Sequence, residues 1–398
     1  MDIRRMPLWA SRNATIMSNE AVRAVIEDQG EITIELSCTN VQGGRVNALS
    51  IPYFRGIGAG VLSDENIDWY KSKQRTYTAG GIYISFPSSD EDHILTSNSY
   101  WMLRRYGSES TYGGVWRLSE MKSREENNRY HISKIDFMLP SDPVLYTYLK
   151  LTNTDEVPLE YNLSIHSMVS PPLLESGSLI STSAAEFTAY PPNLREVAFN
   201  RLKSGIHFSD LKHCPSIRGQ NIDMSYVPGP TSSYDYIIGE LKKDCDLGWV
   251  TIINPRQQLL YCSFFPSLNS DLPQEYIKFP LIDIAFNYLG RMDSPWALYE
   301  GGTPQVFSLT TGFGQMNHHG AFSSPITNTI PPGESRVVVY GNGYSSFDNP
   351  RIGLGFYSAE KAEHGLVFKR TKSYAYLPCD YKFKKLIDVA SWILNNNE

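Results

Sequence analysis

Nowhere in the chain do about 18 apolar residues run uninterrupted, and the N-terminal stretch MDIRRMPLWASRNATIM has early charges but no apolar core of signal-peptide length. These absences remove a membrane-spanning helix and a secretory leader from the expected features, leaving a soluble, cytoplasmic protein with no membrane partner as the expectation. Cysteine is scarce. Cys38, Cys214, Cys245, Cys262 and Cys379 are odd in number and widely spaced, with no CxxC pair, so neither a disulfide framework nor a thiolate zinc site is expected. The sequons Asn13-Ala-Thr15 and Asn162-Leu-Ser164 carry no weight without secretion. Long runs of one charge are missing as well. With 36 basic against 42 acidic residues the net charge is −6, which offers phosphate backbones no basic field and excludes nucleic acid as the expected partner. There is no GxGxxG, P-loop, GxSxG or HExxH, and no internal repeat.

What the sequence has in quantity is aromatic rings and short alternating apolar runs. Its 25 Tyr, 17 Phe and 7 Trp, with many Gly and Pro, favour an all-β protein, and 398 residues suffice for one large core. Residues 20–55 read as a meander: Ala21–Glu27, a turn at Gly30, Glu31–Cys38, a Gly43-Gly44 turn, then Arg45–Phe54. Arg55 follows a strand end and precedes the flexible GIGAG, either as a surface arginine or as an anchor for ligand hydroxyls. From Asp64 to Tyr112 the chain is loop-rich and aromatic, a composition that can pave a cleft for sugars or simply cover a sheet. His93, Trp101 and Arg105 lie in it, and Trp116 follows. The acidic loop Ser88–His93 lacks the established metal-loop frameworks, so no metal site is assigned.

A hairpin is expected over Pro143–Pro172, its arms Val144–Leu151 and Leu159–Ile165 joined by Thr152–Pro158. Leu159, Tyr161, Leu163 and Ile165 alternate with Glu160, Asn162, Ser164 and His166, which sets His166 on the polar face. In Tyr130–Leu139 the apolar positions are expected mostly inward, with His131 on the other face. Residues 172–245 read as long connections with short strands near Ala184–Ala189 and Tyr234–Leu241. Strands resume at Trp249–Ile253 and Leu259–Phe265. Further on, YIKFPLIDIAFNYL leads to the YEGG segment with Glu300. A strand Gln305–Thr310 then enters the loop GFGQMNHHGAF, holding Gln315 and the adjacent His318 and His319, before IPPGESRVVVY. The last residues differ: Phe383, Leu386, Ile387, Ala390, Ile393 and Leu394 have the spacing of an amphipathic helix. Residues 1–375 are expected to form the β body, with 376–398 a helix packed on it.

Three features give the chain a resemblance to the galactose mutarotase-like superfamily, the aldose 1-epimerases and their carbohydrate-binding relatives. They are YTYLKLTNTDEVPLEYNLSIHS with its terminal histidine, the opening meander closing at Pro52-Tyr-Phe-Arg55, and the Pro-Gly-Glu turn before a long late strand. The resemblance covers residues 20 to about 345 loosely. It implies a large antiparallel β-supersandwich, a small-molecule carbohydrate as partner and no cofactor. It also implies acid–base opening of a sugar hemiacetal, in which a histidine protonates the ring oxygen while a glutamate takes the anomeric proton. His166 matches that histidine. The late strand runs into Thr311–Gln315 without an acid, so Glu300 is the nearest candidate base and Gln315 can bind only. Arg55, His93, Trp101, Arg105, Trp116, Gln315 and His318 complete the candidate sugar-binding set. Two alternatives stand beside the epimerase: a non-catalytic carbohydrate-binding protein using the same cleft, and a metal-dependent sugar isomerase with His318 or His319 beside His93 and a carboxylate. The sequence carries no signal for oligomeric state.

Overall fold

The computed structural model describes residues 1–9, 12–50, 80–87, 101–108, 114–123, 129–189, 200–290, 307–313, 322, 328–347, 355–370 and 373–396. Among these, twelve strands form one sheet and eight form a second, and the ladders within both are antiparallel. The chain thus has the expected all-β supersandwich architecture. Two sheets face each other across a core that includes Leu36, Ile82 and Ile84, Ile165 and Ile284 from the first sheet and Leu145, Leu149, Tyr261 and Val338 from the second.

The opening meander forms as Val22–Glu27, Thr33–Thr39 and Arg45–Asn47. Asp2–Trp9 and Arg12–Ser18, not anticipated, extend its edge. Ala184–Ala189 and Ser233–Leu241 match the strands expected in the poorly legible middle, and Ser335–Ser346 outruns the expected Pro-Gly-Glu strand. Leu247–Asn254 and Leu259–Pro266 are buried along their whole length, which fits their nearly continuous apolar runs.

The Pro143–Pro172 segment is not a hairpin. Val144–Asn153 lies in the second sheet between Tyr130–Met138 and Ser335–Ser346, whereas Ser164–Val169 lies in the first sheet. Between them Leu159–Tyr161 pairs with Asn328–Ile330. The chain arches from one sheet to the other, its first arm pairing with Tyr130–Met138 and Ser335–Ser346 and its second with Gly81–Ser85 and Phe307–Phe313. Tyr130–Met138 also departs from expectation. Tyr130 and Ile132 enter the inter-sheet core, but Ile135 and Phe137 face outward into a second core.

That second core exists because the outer face of the second sheet is covered. The helix Phe383–Asn395 and the three-stranded sheet of Ser358–Ala362, Gly365–Arg370 and Ser373–Pro378 supply the cover. Phe383, Leu386, Ile387, Ala390 and Ile393 join Tyr146, Tyr148, Phe264 and Val339 there, as the helical spacing predicts. The helix start has no side-chain cap and its last turn no basic residue. Its stability therefore rests on burial of this stripe rather than on its ends.

Among the described residues, a cluster of charges crosses the inter-sheet core. Arg117, from the second sheet, makes a two-pronged contact with Glu31 at 2.8 and 2.7 Å and reaches Asp28 at 3.2 Å. Lys134 donates to Asp136 at 2.8 Å, and Thr147 and Thr15 donate to Asp136 and Asp28. Arg5 adds a contact to Asp28 at 3.0 Å. Three cationic groups thus meet three carboxylates, a balance that buried charges require. No helix among the described residues is long and apolar enough to cross a membrane.

Candidate functional site

His166 sits where period two places it, on the outer face of the first sheet, while its neighbours Ile165 and Ser167 point into the sandwich. The surrounding register is more informative than the strand itself. Tyr83 is paired with His166, His166 with Gly312, Gly312 with Asp283, Asp283 with Ile238, Ile238 with Thr188 and Thr188 with His207. Residues directly opposite each other in antiparallel strands share a face, so this is one continuous row.

Within the row the Tyr83 and His166 rings stack with centroids 4.9 Å apart and planes 16° apart. On the other side, a Cβ built on Gly312 would lie 3.2 Å from His166 Nδ1. The missing side chain keeps that edge of the imidazole uncrowded. Beyond Gly312 stands Asp283, two strands from His166 and so about 10 Å away at Cα. An imidazole and a carboxyl group thus flank a floor without a side chain.

This face is polar without being open. His166 is half-buried, and Asp283, Thr188, Asn287, Met168 and Tyr234 are buried. Burial disfavours the charged form of each ionisable group. It lowers His166 from the ordinary histidine value to about 4. Asp283 is pushed well above the ordinary carboxylate range by burial, with nearby Tyr236 acting the other way. Burial also raises the Tyr83 phenol, leaving it a neutral stacking partner. Burial thus favours the neutral form of both groups, the imidazole of His166 and the carboxyl group of Asp283. At the row's far end His207 contacts Glu186 at 2.8 Å.

The other residues expected at a sugar cleft divide into two groups. Arg55, His93, Glu300, Gln315 and His318, with the Ser88–His93 loop and His319, lie outside the described residues. Trp101, Arg105 and Trp116 are described and belong to the second sheet, not to the His166 face. Trp101 is a core residue between the sheets, Trp116 is buried in the outer core of the second sheet, and Arg105 is exposed on that sheet's edge strand. Their aromatic or basic character reflects packing and solvation, not cleft lining. His131, left open between solvent and groove, is half-buried beside Glu120 on the second sheet. Among the described residues no three His, Cys, Asp or Glu are grouped to hold a metal, and all five cysteines are free thiols.

Asp283, Tyr83 and Tyr236 were missed by reading the sequence. The available signal for Asp283 was a lone carboxylate inside the apolar run Leu281–Tyr288, an expensive position without a purpose.

No family model and no curated protein sequence matches the chain. Solved structures do. A galactose mutarotase-like protein from Clostridium acetobutylicum superposes with a TM-score of 0.58 at 12% identity, over 87% of this chain and 99% of its own. A galactose mutarotase related enzyme from Lactobacillus acidophilus gives 0.51 at 9% identity, over 84% and 97%. A candidate aldose 1-epimerase from Klebsiella pneumoniae gives 0.54 at 11% identity, over 84% and 79%. At such identities the likeness is one of fold: the chain has the galactose mutarotase-like fold.

Proposed function

We propose that the protein is a sugar-binding, mutarotase-like enzyme that interconverts the anomers of a small aldose between His166 and Asp283. The observation that carries this reading is the row itself, with a histidine and a carboxyl group facing each other across Gly312 on the outer face of the first sheet. The fold shared with galactose mutarotase-like structures supports a sugar as the ligand class.

The protonation states argue for roles opposite to those implied by resemblance, with Asp283 taking the place that Glu300 was expected to fill. A histidine held near 4 carries no proton to give at neutral pH, so it can act only as an acceptor, and as a weak base. A carboxyl group raised by burial can hold the proton that a ring oxygen needs. In the proposed reaction neutral His166 takes the proton of the anomeric hydroxyl while Asp283 donates its proton to the ring oxygen. The C–O bond to the ring oxygen breaks and a carbonyl forms at the anomeric carbon. After rotation, the Asp283 carboxylate takes the proton back from the chain hydroxyl as it attacks the other face of the carbonyl. The His166 imidazolium returns its proton to the anomeric oxygen, so no proton is gained or lost over the cycle. Tyr83 holds the imidazole plane by stacking on it.

Polarimetry over a panel of aldoses tests this directly. His166→Gln and Asp283→Asn should each lower the enzyme-dependent rate by about 10²- to 10⁴-fold, the usual worth of a general acid or base. Unchanged rates in either variant would remove that residue from the chemistry. Retained sugar binding with no wild-type catalysis on any aldose would instead favour a non-catalytic carbohydrate-binding protein.

A further inference from the structure

A groove of about 760 Å³ opens away from the His166 row. Cys38, Leu259 and Tyr344, at or near the ends of interior strands of the two sheets, line it. Its far wall is the Ser373–Pro378 strand of the small sheet. None of its lining residues belongs to the His166 row.

The strand forming that wall is divided by period two. Ala375 and Leu377 are buried in the outer core, whereas Tyr374 is 68% and Tyr376 37% exposed. Two tyrosines thus stand side by side toward solvent, about 7 Å apart along the strand. Ser345 ties the wall to the body by donating to the Tyr376 carbonyl, and the Tyr376 hydroxyl donates to the His364 carbonyl at 2.6 Å. The Tyr376 ring also packs over Gly365, where an added Cβ would lie 2.8 Å from it. This tyrosine is fixed in place while much of its surface stays open.

The chemistry of the remaining lining narrows the ligand. Hydroxyl groups come from Thr39, Ser141, Ser346 and Ser373, and Glu20 is the one charged side chain among the described lining residues. With no lysine or arginine there, phosphates and acidic sugars find no countercharge. Flat rings beside hydroxyls suit a ligand with apolar ring faces and many neutral hydroxyl groups. We propose that this groove is a second carbohydrate site, binding neutral oligosaccharide chains by stacking on Tyr374 and Tyr376 with hydrogen bonds to the serine-rich rim. It needs neither His166 nor Asp283, so it stands or falls separately from the proposed catalysis.

Affinity electrophoresis of the full chain through gels containing soluble neutral polysaccharides, with an α-glucan, a β-glucan, a galactan and a xylan as probes and an alginate as the acidic control, tests the site. Wild type and His166→Gln should be retarded equally by at least one neutral polymer and by none of the acidic control. Tyr374→Ala should weaken that retardation about tenfold, as loss of a stacking anchor does. Because Tyr374 is exposed, this variant should melt with the wild type, which separates lost binding from lost folding. Absence of retardation in every neutral polymer, unaltered retardation of Tyr374→Ala, loss of retardation in His166→Gln, or retardation by alginate would each overturn the proposal.

Discussion

A histidine that prefers to be neutral leaves a trace in stability as well as in chemistry. In the unfolded chain an imidazole titrates at about 6.5, whereas burial on the first sheet lowers His166 to about 4. Between those values the unfolded state binds a proton that the folded state refuses, so stability falls as the pH drops from the upper value toward the lower. The contribution is fully present above the unfolded value and is on the order of 3 kcal/mol at most. His166→Gln removes the titration while keeping a polar side chain. Its melting temperature should therefore drop less than that of the wild type between pH 7 and pH 4.5. Equal drops in the two proteins would mean that the imidazole is not held neutral, and the base assigned to it would lose its support. Asp283 has the opposite sign: its raised value favours folding while the group is protonated, and that contribution is lost as the pH rises through the folded value.

At the scale of strands and turns, the least replaceable polar element is the ion cluster that joins the sheets. Arg117 is completely buried, and it brings Glu31 and Asp28, from the turn between Val22–Glu27 and Thr33–Thr39, against Asp136 of the second sheet. Burial raises the Glu31 carboxyl, and Arg117 is the largest influence opposing that rise. Arg117→Met would keep most of the volume and leave three carboxylates with Lys134 and the half-exposed Arg5. The expected cost is about 3–5 kcal/mol, the usual penalty for stranding buried charge. Urea denaturation measures it, and a loss below about 1 kcal/mol would mean that water already solvates the cluster. This cluster also marks a limit of reading from sequence. Arg117, Lys134 and Asp136 stand at alternating positions that look solvent-facing, and nothing local reveals that the partner sheet brings matching charges. The same limit explains the Pro143–Pro172 segment. Its alternation correctly gave the face of His166, because period two is a local property. Its pairing was wrong, because the choice between a hairpin and an arch is made by distant strands such as Ser335–Ser346 and Phe307–Phe313. Asp283 was in principle legible as a carboxylate in an apolar strand. Its relation to His166 was not, since it depends on Phe307–Phe313 inserting between their two strands.

For the molecule as a whole, the asymmetry between the two sheets separates structure from function. The outer face of the second sheet is apolar and is covered by the C-terminal helix and the small sheet, which leaves that face closed to a ligand. The first sheet turns a polar face outward, and that face carries the His166 row. The helix should accordingly be a structural cover, remote in role from any sugar chemistry. Phe383 meets Phe264 with ring centroids 6.4 Å apart, and Leu386 and Ala390 are fully buried beside it. Ending the chain after residue 380 would uncover aromatic and branched side chains of the second sheet, including Phe264, Tyr146 and Val339. An apolar patch of that kind exceeds what soluble monomers tolerate. The truncated chain should aggregate on expression, or, where soluble, bind a hydrophobic dye and melt well below the full chain. The narrower variant Leu386→Ala should cost about 2–5 kcal/mol, the range for emptying a packed leucine site. If it folds, its polarimetric rate at temperatures below melting should equal that of the full chain, because the helix touches the second sheet and the His166 row belongs to the first. A truncation that stays soluble with an unchanged melting point would contradict the covering role, and a folded Leu386→Ala with altered catalysis would show that the two sheets are coupled.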